Sequence, residues 1–350
     1  MFLFGGKMYY FVNDYSDICQ IELLDRLKEK ANEFNPGYGF DKYTERAKET
    51  IKKILDDEDI DIYFLTGGTI VNIIGSTQGL RGQDSIISAK TGHINTHEAG
   101  SIEATGTKIE TIETEDGKLT VELLTSYIKT FDNEFSTVPK VVYVSNSTEL
   151  GTIYTKKELK DIHDFCKENS LYLYIDGARL SQALASSYSD IEYSDLTDLA
   201  DIFSIGGTKN GLPFGEVLVV KNDDLKKNMI NLIKQKGALL AKGFILGLLF
   251  DEAFSSSIYF DNANHAFKMA KEVNDGLEEI GVPLAYEFNS NQIFILLNEE
   301  DTKKLGKDIK FEIHGKKDNF NIIRLVCTYR TNKDDVNALL NRLGEIWQMK

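Results

Sequence analysis

Two short apolar runs constrain this chain more than anything else in it. Residues 171–176 read LYLYID and residues 201–207 read DIFSIGG. Both are rich in β-branched and aromatic residues, the pattern of strands buried within a sheet. Asp176 closes the first run. Lys209 lies in the glycine-rich turn after the second, 33 residues later, flanked by Gly206, Gly207 and Gly211. Strands alternate with helical patterns from about residue 60 to 220. That alternation predicts an α/β fold with a mostly parallel sheet covered by helices.

The totals are compatible with such a fold. The chain has 350 residues, enough for two domains or one large one. Its 42% hydrophobic and 27% charged residues are those of a soluble globule. A net charge of −15 disfavours nucleic acid and anionic membranes as partners, while a local cluster of donors can still hold a small anion. Cys19, Cys166 and Cys327 are far apart and lack CxxC spacing; they read as reduced thiols in a cytoplasmic protein. The opening MFLFGGKMYY is apolar but lacks a basic n-region and a cleavage site, so no secretory signal is expected, and Met8 is a second candidate start. No apolar run is long enough to span a membrane.

In chain order, Ile21, Leu24 and Leu27 mark one helix, and a second runs from about Lys42 to Leu55. IDIYFLTGGTIVNIIGS reads as a strand, a Gly67-Gly68-Thr69 turn and a helix, which points backbone N–H groups at an anion. The strand 84–90 runs into TGHINTHEAG, a loop carrying His93 and His97. Zinc is argued against there, because Gly92, Asn95 and Gly100 spoil the regular helix that His-x3-His would need. A helix follows at about 118–130, a strand at 140–145, and a helix from Lys156 to Asn169 with Leu159, Ile162 and Cys166 on one face. Beyond residue 222 the pattern is mostly helical, then mixed, with a final helix from Lys333 to Trp347. The change in pattern predicts a large domain over 1–250, with an arm at 1–18, and a smaller α/β domain over 251–350.

A carboxylate and a lysine at the ends of two buried strands suit pyridoxal phosphate. The lysine forms a Schiff base with the cofactor aldehyde, and the carboxylate pairs with the protonated ring nitrogen. A nucleotide-binding turn is a poor alternative, since GGT lacks both the G-x-G-x-x-G spacing and a P-loop lysine.

The blocks GGT, TGHINTHEAGSIEATG, NSTELGT, DGAR, GGTKNG and IIRLVCTY, in this order, resemble the threonine aldolase family, in its low-specificity threonine aldolase and phenylserine aldolase branch. The resemblance implies the aspartate-aminotransferase-like fold of pyridoxal-phosphate enzymes (fold type I). It implies cleavage of a β-hydroxy amino acid to glycine and an aldehyde. By position, Lys209 would carry the cofactor, Asp176 would hold the ring nitrogen, and Gly67, Gly68 and Thr69 would hold the phosphate. His93 would lie on the ring, and His93, His97 or a water they position would act as base. Arg179, which also borders the cofactor, would grip the substrate carboxylate with Arg324. Asn13 stands where the family has a serine touching that carboxylate. Tyr38 and Lys234 match residues that reach a neighbouring subunit's site, implying a homodimer or homotetramer. One departure is Ser147-Thr148-Glu149, where better-known members carry a histidine that places the substrate side chain. A β-eliminating lyase, an aminotransferase and a catalytically silent cofactor-binding protein are the rival readings; no metal is expected.

Overall fold

A computed structural model describes residues 7–348 except residue 132; the first six residues of the expected N-terminal arm lie outside the described residues. Among the described residues there are twelve strands: β1 Tyr9–Tyr10, β2 Asp61–Leu65, β3 Asp84–Ala89, β4 Lys108–Ile112, β5 Val138–Ser145, β6 Tyr172–Asp176, β7 Ile202–Gly206, β8 Glu216–Val220, β9 Gln292–Leu297, β10 Ile309–Lys310, β11 Glu312–Lys317 and β12 Phe320–Val326. Seven of them form the main sheet in the order β2-β8-β7-β6-β5-β3-β4. Strands β7, β6, β5, β3 and β4 run parallel, as the alternating pattern predicts. Strand β8 runs antiparallel to both β7 and β2. The reason is local: only residues 207–215 separate β7 from β8, too few for a parallel crossover.

Side chains alternate across this sheet with period two. Leu173, Ile175, Phe203, Ile205, Val217 and Val219 pack into the core on one face. Tyr143, Tyr174, Ile202 and Leu218 pack into the core on the other. Asp176, two residues after Tyr174, shares the second face, where helix Gly68–Thr77 crosses β6, β7 and β8.

The helices begin where their sequences supply caps. Asp41 accepts from the N–H groups of Tyr43 and Thr44 and starts Lys42–Leu55. Thr155 and Glu158 form a capping box that starts Lys156–Glu168. That helix buries Leu159, Ile162 and Cys166, as their spacing predicts. In the first helix, Ile21–Glu29, Leu24 and Leu27 pack against the core as the pattern predicts, but Leu23 is the buried residue and Ile21 is 61% exposed.

A second core gathers helices Ile258–Ile280 and Lys333–Gln348 against the antiparallel sheet β11-β12-β9. Phe11 belongs to this core, far from it in sequence. Strand β1 pairs in parallel with β10, and Phe11 donates to Lys310 O and accepts from Val326 N.

Candidate active site

The parallel strands β5, β6 and β7 end side by side, with Ser145 beside Asp176 in the register. The crevice outside the carboxyl ends of such strands is where open α/β sheets hold ligands. A cleft here is lined by Gly68, His93, Glu149, Asp176, Arg179 and Lys209, among others.

Asp176 is buried and fully engaged. Its Oδ2 accepts from Asn72 Nδ2 at 2.9 Å and from the Tyr143 hydroxyl, and its Oδ1 accepts from the Ala178 N–H at 2.9 Å. Asn72 in turn accepts from the Tyr174 hydroxyl at 2.8 Å and donates to Glu98 at 2.7 Å. Each buried polar group of this chain thus satisfies the next, which fixes the carboxylate's orientation.

Lys209 is brought near by an unusually close approach of backbones. A Cβ at Gly177 would lie 1.9 Å from Ser204 O, and one at Gly206 would lie 2.2 Å from Ala178 O. Only glycines let the turn after β6 sit against β7. Lys209 then occupies a short 3-10 turn, Thr208–Asn210, whose backbone is pinned by Gln182 Nε2 donating to Lys209 O at 3.1 Å. Burial and the adjacent Arg179 guanidinium hold the Lys209 amine below the usual lysine range. Below the turn, the Gly207 N–H donates to Glu216 Oε2 at 2.8 Å, and burial pushes the Glu216 carboxyl up to about 7.

Arg179 is bound to a residue that the sequence did not single out. Its Nε and Nη2 donate to the two oxygens of buried Asp14, at 2.7 and 2.9 Å. Its Nη1 makes no hydrogen bond among the described residues. His93 begins the one-turn helix His93–Thr96. Its Nδ1 meets Glu98 Oε1 at 2.8 Å, and His97 stacks behind it at 5.5 Å. Burial and the His93 ring lower the His97 pKa.

The remaining candidates lie at the margin or elsewhere. Arg324 flanks the cleft rather than lining it. It pairs across β11–β12 with Glu312, donates Nη1 to Gln292 at 3.4 Å, and leaves its buried Nε without a partner. Asn13 caps its own turn, accepting from Tyr15 N and the Ser16 hydroxyl. Tyr38 and Lys234 meet each other at 4.8 Å, outside this cleft. Among the described residues no group of acidic, histidine or cysteine side chains is placed to hold a metal.

The donor set fits pyridoxal phosphate. A side chain built at Gly67 or Gly68 meets no atom within 4 Å, so the first turn of Gly68–Thr77, where Thr69 follows, opens its N–H groups onto free space for a phosphate. A fixed carboxylate, an amine of lowered pKa and an orphaned guanidinium nitrogen complete the requirement for a ring nitrogen, an aldehyde and a carboxylate. Sequence reasoning missed Asp14, Asn72, Tyr143, Glu149 and Glu216 as site residues. A polar Asn72 inside the apolar TIVNII, and a Glu216 opening the apolar EVLVV, were the available signals; Tyr143 in KVVYVS gave none.

Comparison with known proteins agrees with the geometry. The beta-eliminating lyase family model matches residues 23–342. A low-specificity L-threonine aldolase of Pseudomonas aeruginosa is 32% identical over 295 residues, 82% of this chain and 83% of that protein. The structure of a Leishmania major threonine aldolase superposes with a TM-score of 0.94 at 40% identity, covering 97% of this chain and 99% of that one. An aromatic aminotransferase from Pyrococcus horikoshii, at TM-score 0.72 and 15% identity over 98% of this chain and 96% of that one, shares the fold alone. No helix among the described residues is long and apolar enough to cross a membrane. The chain belongs to the β-eliminating lyase family, as a pyridoxal-phosphate-dependent lyase of the aspartate-aminotransferase-like fold type I.

Proposed function

We propose that this chain cleaves β-hydroxy-α-amino acids, with L-threonine, L-allo-threonine and phenylserine as candidates, to glycine and an aldehyde. The observation that carries the reading is the convergence of Lys209 and the triply hydrogen-bonded Asp176 on one cleft with a phosphate-ready helix terminus. When bound, pyridoxal phosphate supplies an electron sink for the pair released at the substrate Cα.

The chain's residues bind, orient and hold protons. Lys209, whose amine is held below the usual lysine range by burial and Arg179, would carry the cofactor at its aldehyde. Asp176 would hold the protonated ring nitrogen, and Gly67, Gly68 and Thr69 would hold the phosphate. His93, fixed by Glu98 and backed by the stacked His97, would cover the ring. Arg179, whose Nη1 is free, and Arg324 would receive the substrate carboxylate, together with Asn13, the chain neighbour of the Asp14 that anchors Arg179. Fixing that carboxylate would orient the substrate's Cα–Cβ bond for cleavage; orientation of this kind is worth several kcal/mol of barrier. Tyr38 and Lys234 serve the site of a second copy in a homodimer or homotetramer. The division at about residue 250 into a cofactor-binding and a smaller domain is part of the same reading.

The test is product analysis of the purified protein with the three amino acids. Glycine plus aldehyde, abolished in Lys209→Ala together with the visible absorbance of the bound cofactor, is the expected result. Ammonia with a keto acid and no glycine would replace this reading with β-elimination or transamination.

A further inference from the structure

Glu149 lines the cleft and has no part in the roles above. Its Oε1 is fastened at two points, by the Ser145 hydroxyl at 2.7 Å and the His93 backbone N–H at 3.0 Å. Its Oε2 has no hydrogen-bond partner among the described residues. The charged or titratable groups that share the cleft with it are His93, Asp176, Arg179 and Lys209. Asp176 is committed to Asn72, Tyr143 and Ala178, Arg179 by two nitrogens to Asp14, and His93 to Glu98, while Lys209 is the residue reserved for the cofactor aldehyde. A carboxylate held by one oxygen with the other free, in a substrate cleft, is arranged to exchange a proton.

We propose that Glu149 is the base for the substrate's β-hydroxyl. The inference rests on the aldol-cleavage reading above. As the Cα–Cβ bond breaks, the β-hydroxyl proton passes to Glu149 Oε2 and the O–H electron pair forms the aldehyde C=O. The Cα–Cβ pair stays with Cα, where bound pyridoxal phosphate would supply the electron sink; a proton returned to Cα gives glycine, so atoms and charge balance.

The imidazoles are less suited to this task. His93 has its Nδ1 engaged by Glu98 Oε1 at 2.8 Å. His97 is a layer behind His93, its Nδ1 is engaged by the Thr96 hydroxyl at 2.6 Å, and its pKa is lowered. For Glu149 the shift runs the favourable way. Burial, with the nearby Asp176 charge, raises its carboxyl above the usual range despite the Ser145 hydrogen bond, which brings it closer to neutral pH, where a general base works best.

Glu149→Gln keeps the shape and the fastening acceptor but cannot take a proton. Its kcat for threonine cleavage should fall by roughly 100- to 10,000-fold, with KM changed far less. In Glu149→Ala, added formate should restore cleavage in proportion to its concentration, a response that a packing role does not give. In the unloaded chain, the infrared carboxyl band that Glu149→Gln removes should titrate above the ordinary glutamate range. Glu149→Asp, which shortens the reach, covers the case in which Gln misfolds and should lose at least tenfold. The proposal fails if Glu149→Gln retains kcat within threefold, if formate does not rescue a folded Glu149→Ala, or if the band titrates at or below the ordinary range. Wild-type protein assayed alongside reports separately on aldol cleavage: no glycine from it would overturn the functional reading itself.

Discussion

Replacing Asp14 by asparagine removes one charge from a pair that is almost wholly out of water. The Asp14 side chain is 1% exposed and that of Arg179 is 11% exposed. Burial alone would raise the Asp14 carboxyl, yet the charges of Arg179 and Lys209, with hydrogen bonds from Arg179 and Asn291, hold it below the usual range. Attraction therefore outweighs desolvation in the intact pair, and its loss strands a buried guanidinium. Breaking such a pair from one side costs about 3–5 kcal/mol. With 350 residues and about 2.1 cal/mol/K of unfolding entropy per residue, the melting temperature should fall by about 4–7 °C. Calorimetry of Asp14→Asn at neutral pH measures this directly. The double variant Asp14→Asn/Arg179→Met leaves no unpaired charge and should recover most of the loss. The sign with pH is fixed too. Because the folded carboxyl is lowered from 3.8, its contribution is complete above that value and lost as pH falls through the folded one. The gap between wild type and Asp14→Asn should hold down to that pH and close only below it. A single variant melting within about 1 °C of wild type, or a double variant no better than the single, would refute the reasoning.

Other outcomes follow from the same geometry. Glu216 is raised from 4.5 to about 7 by burial. Between those values the unfolded chain releases a proton that the folded chain keeps, so wild-type stability should decline by on the order of 3 kcal/mol and then level off. Glu216→Gln should lack that decline, and parallel melting curves with pH would contradict it. Gly177→Ala places a Cβ 1.9 Å from Ser204 O; a loss of about 3 kcal/mol or more is expected in melting experiments, and a wild-type melting temperature would mean that β6 and β7 are not so close. Arg324→Gln removes the orphaned donor and its charge; KM for the amino acid should rise roughly 10- to 100-fold with a smaller change in kcat, and an unchanged KM would remove Arg324 from substrate binding.

How far the sequence speaks depends on the range of the interaction. Helix Lys42–Leu55 and the buried face Leu159, Ile162 and Cys166 are set by caps and periodicity within a few residues, and both are legible. So are β6 and β7, whose continuous apolar runs need cover on both faces. Helix Ile21–Glu29 is legible as a helix, but its buried face is chosen by the core it meets, so Leu23 rather than Ile21 turns inward. Antiparallel β8 is masked because a buried antiparallel strand reads like a parallel one; only the short span from 207 to 215 betrays it. In the site, chemistry-bearing residues at strand ends stand out, while their partners do not. Asp14 meets Arg179 across 165 residues, and Asn72 meets Asp176 across 104. Glu312 faces Arg324 only because β11 folds back on β12.

The attachment of Phe11 to the C-terminal core sets an order of events in the making of the molecule. Strand β1 and Phe11 have no partners until β10 and β12 exist, about 300 residues later. At 5–20 residues per second, a nascent chain waits roughly 15–60 s for them. Asp14 lies just past Phe11 and also bonds Asn291. A growing chain can therefore carry a finished main sheet, with Asp176 and Lys209 in place, while Arg179 still lacks its counter-charge. The Arg179–Asp14 contact would then form late in biosynthesis, and a ribosome-bound chain stopped before β10 should lack it.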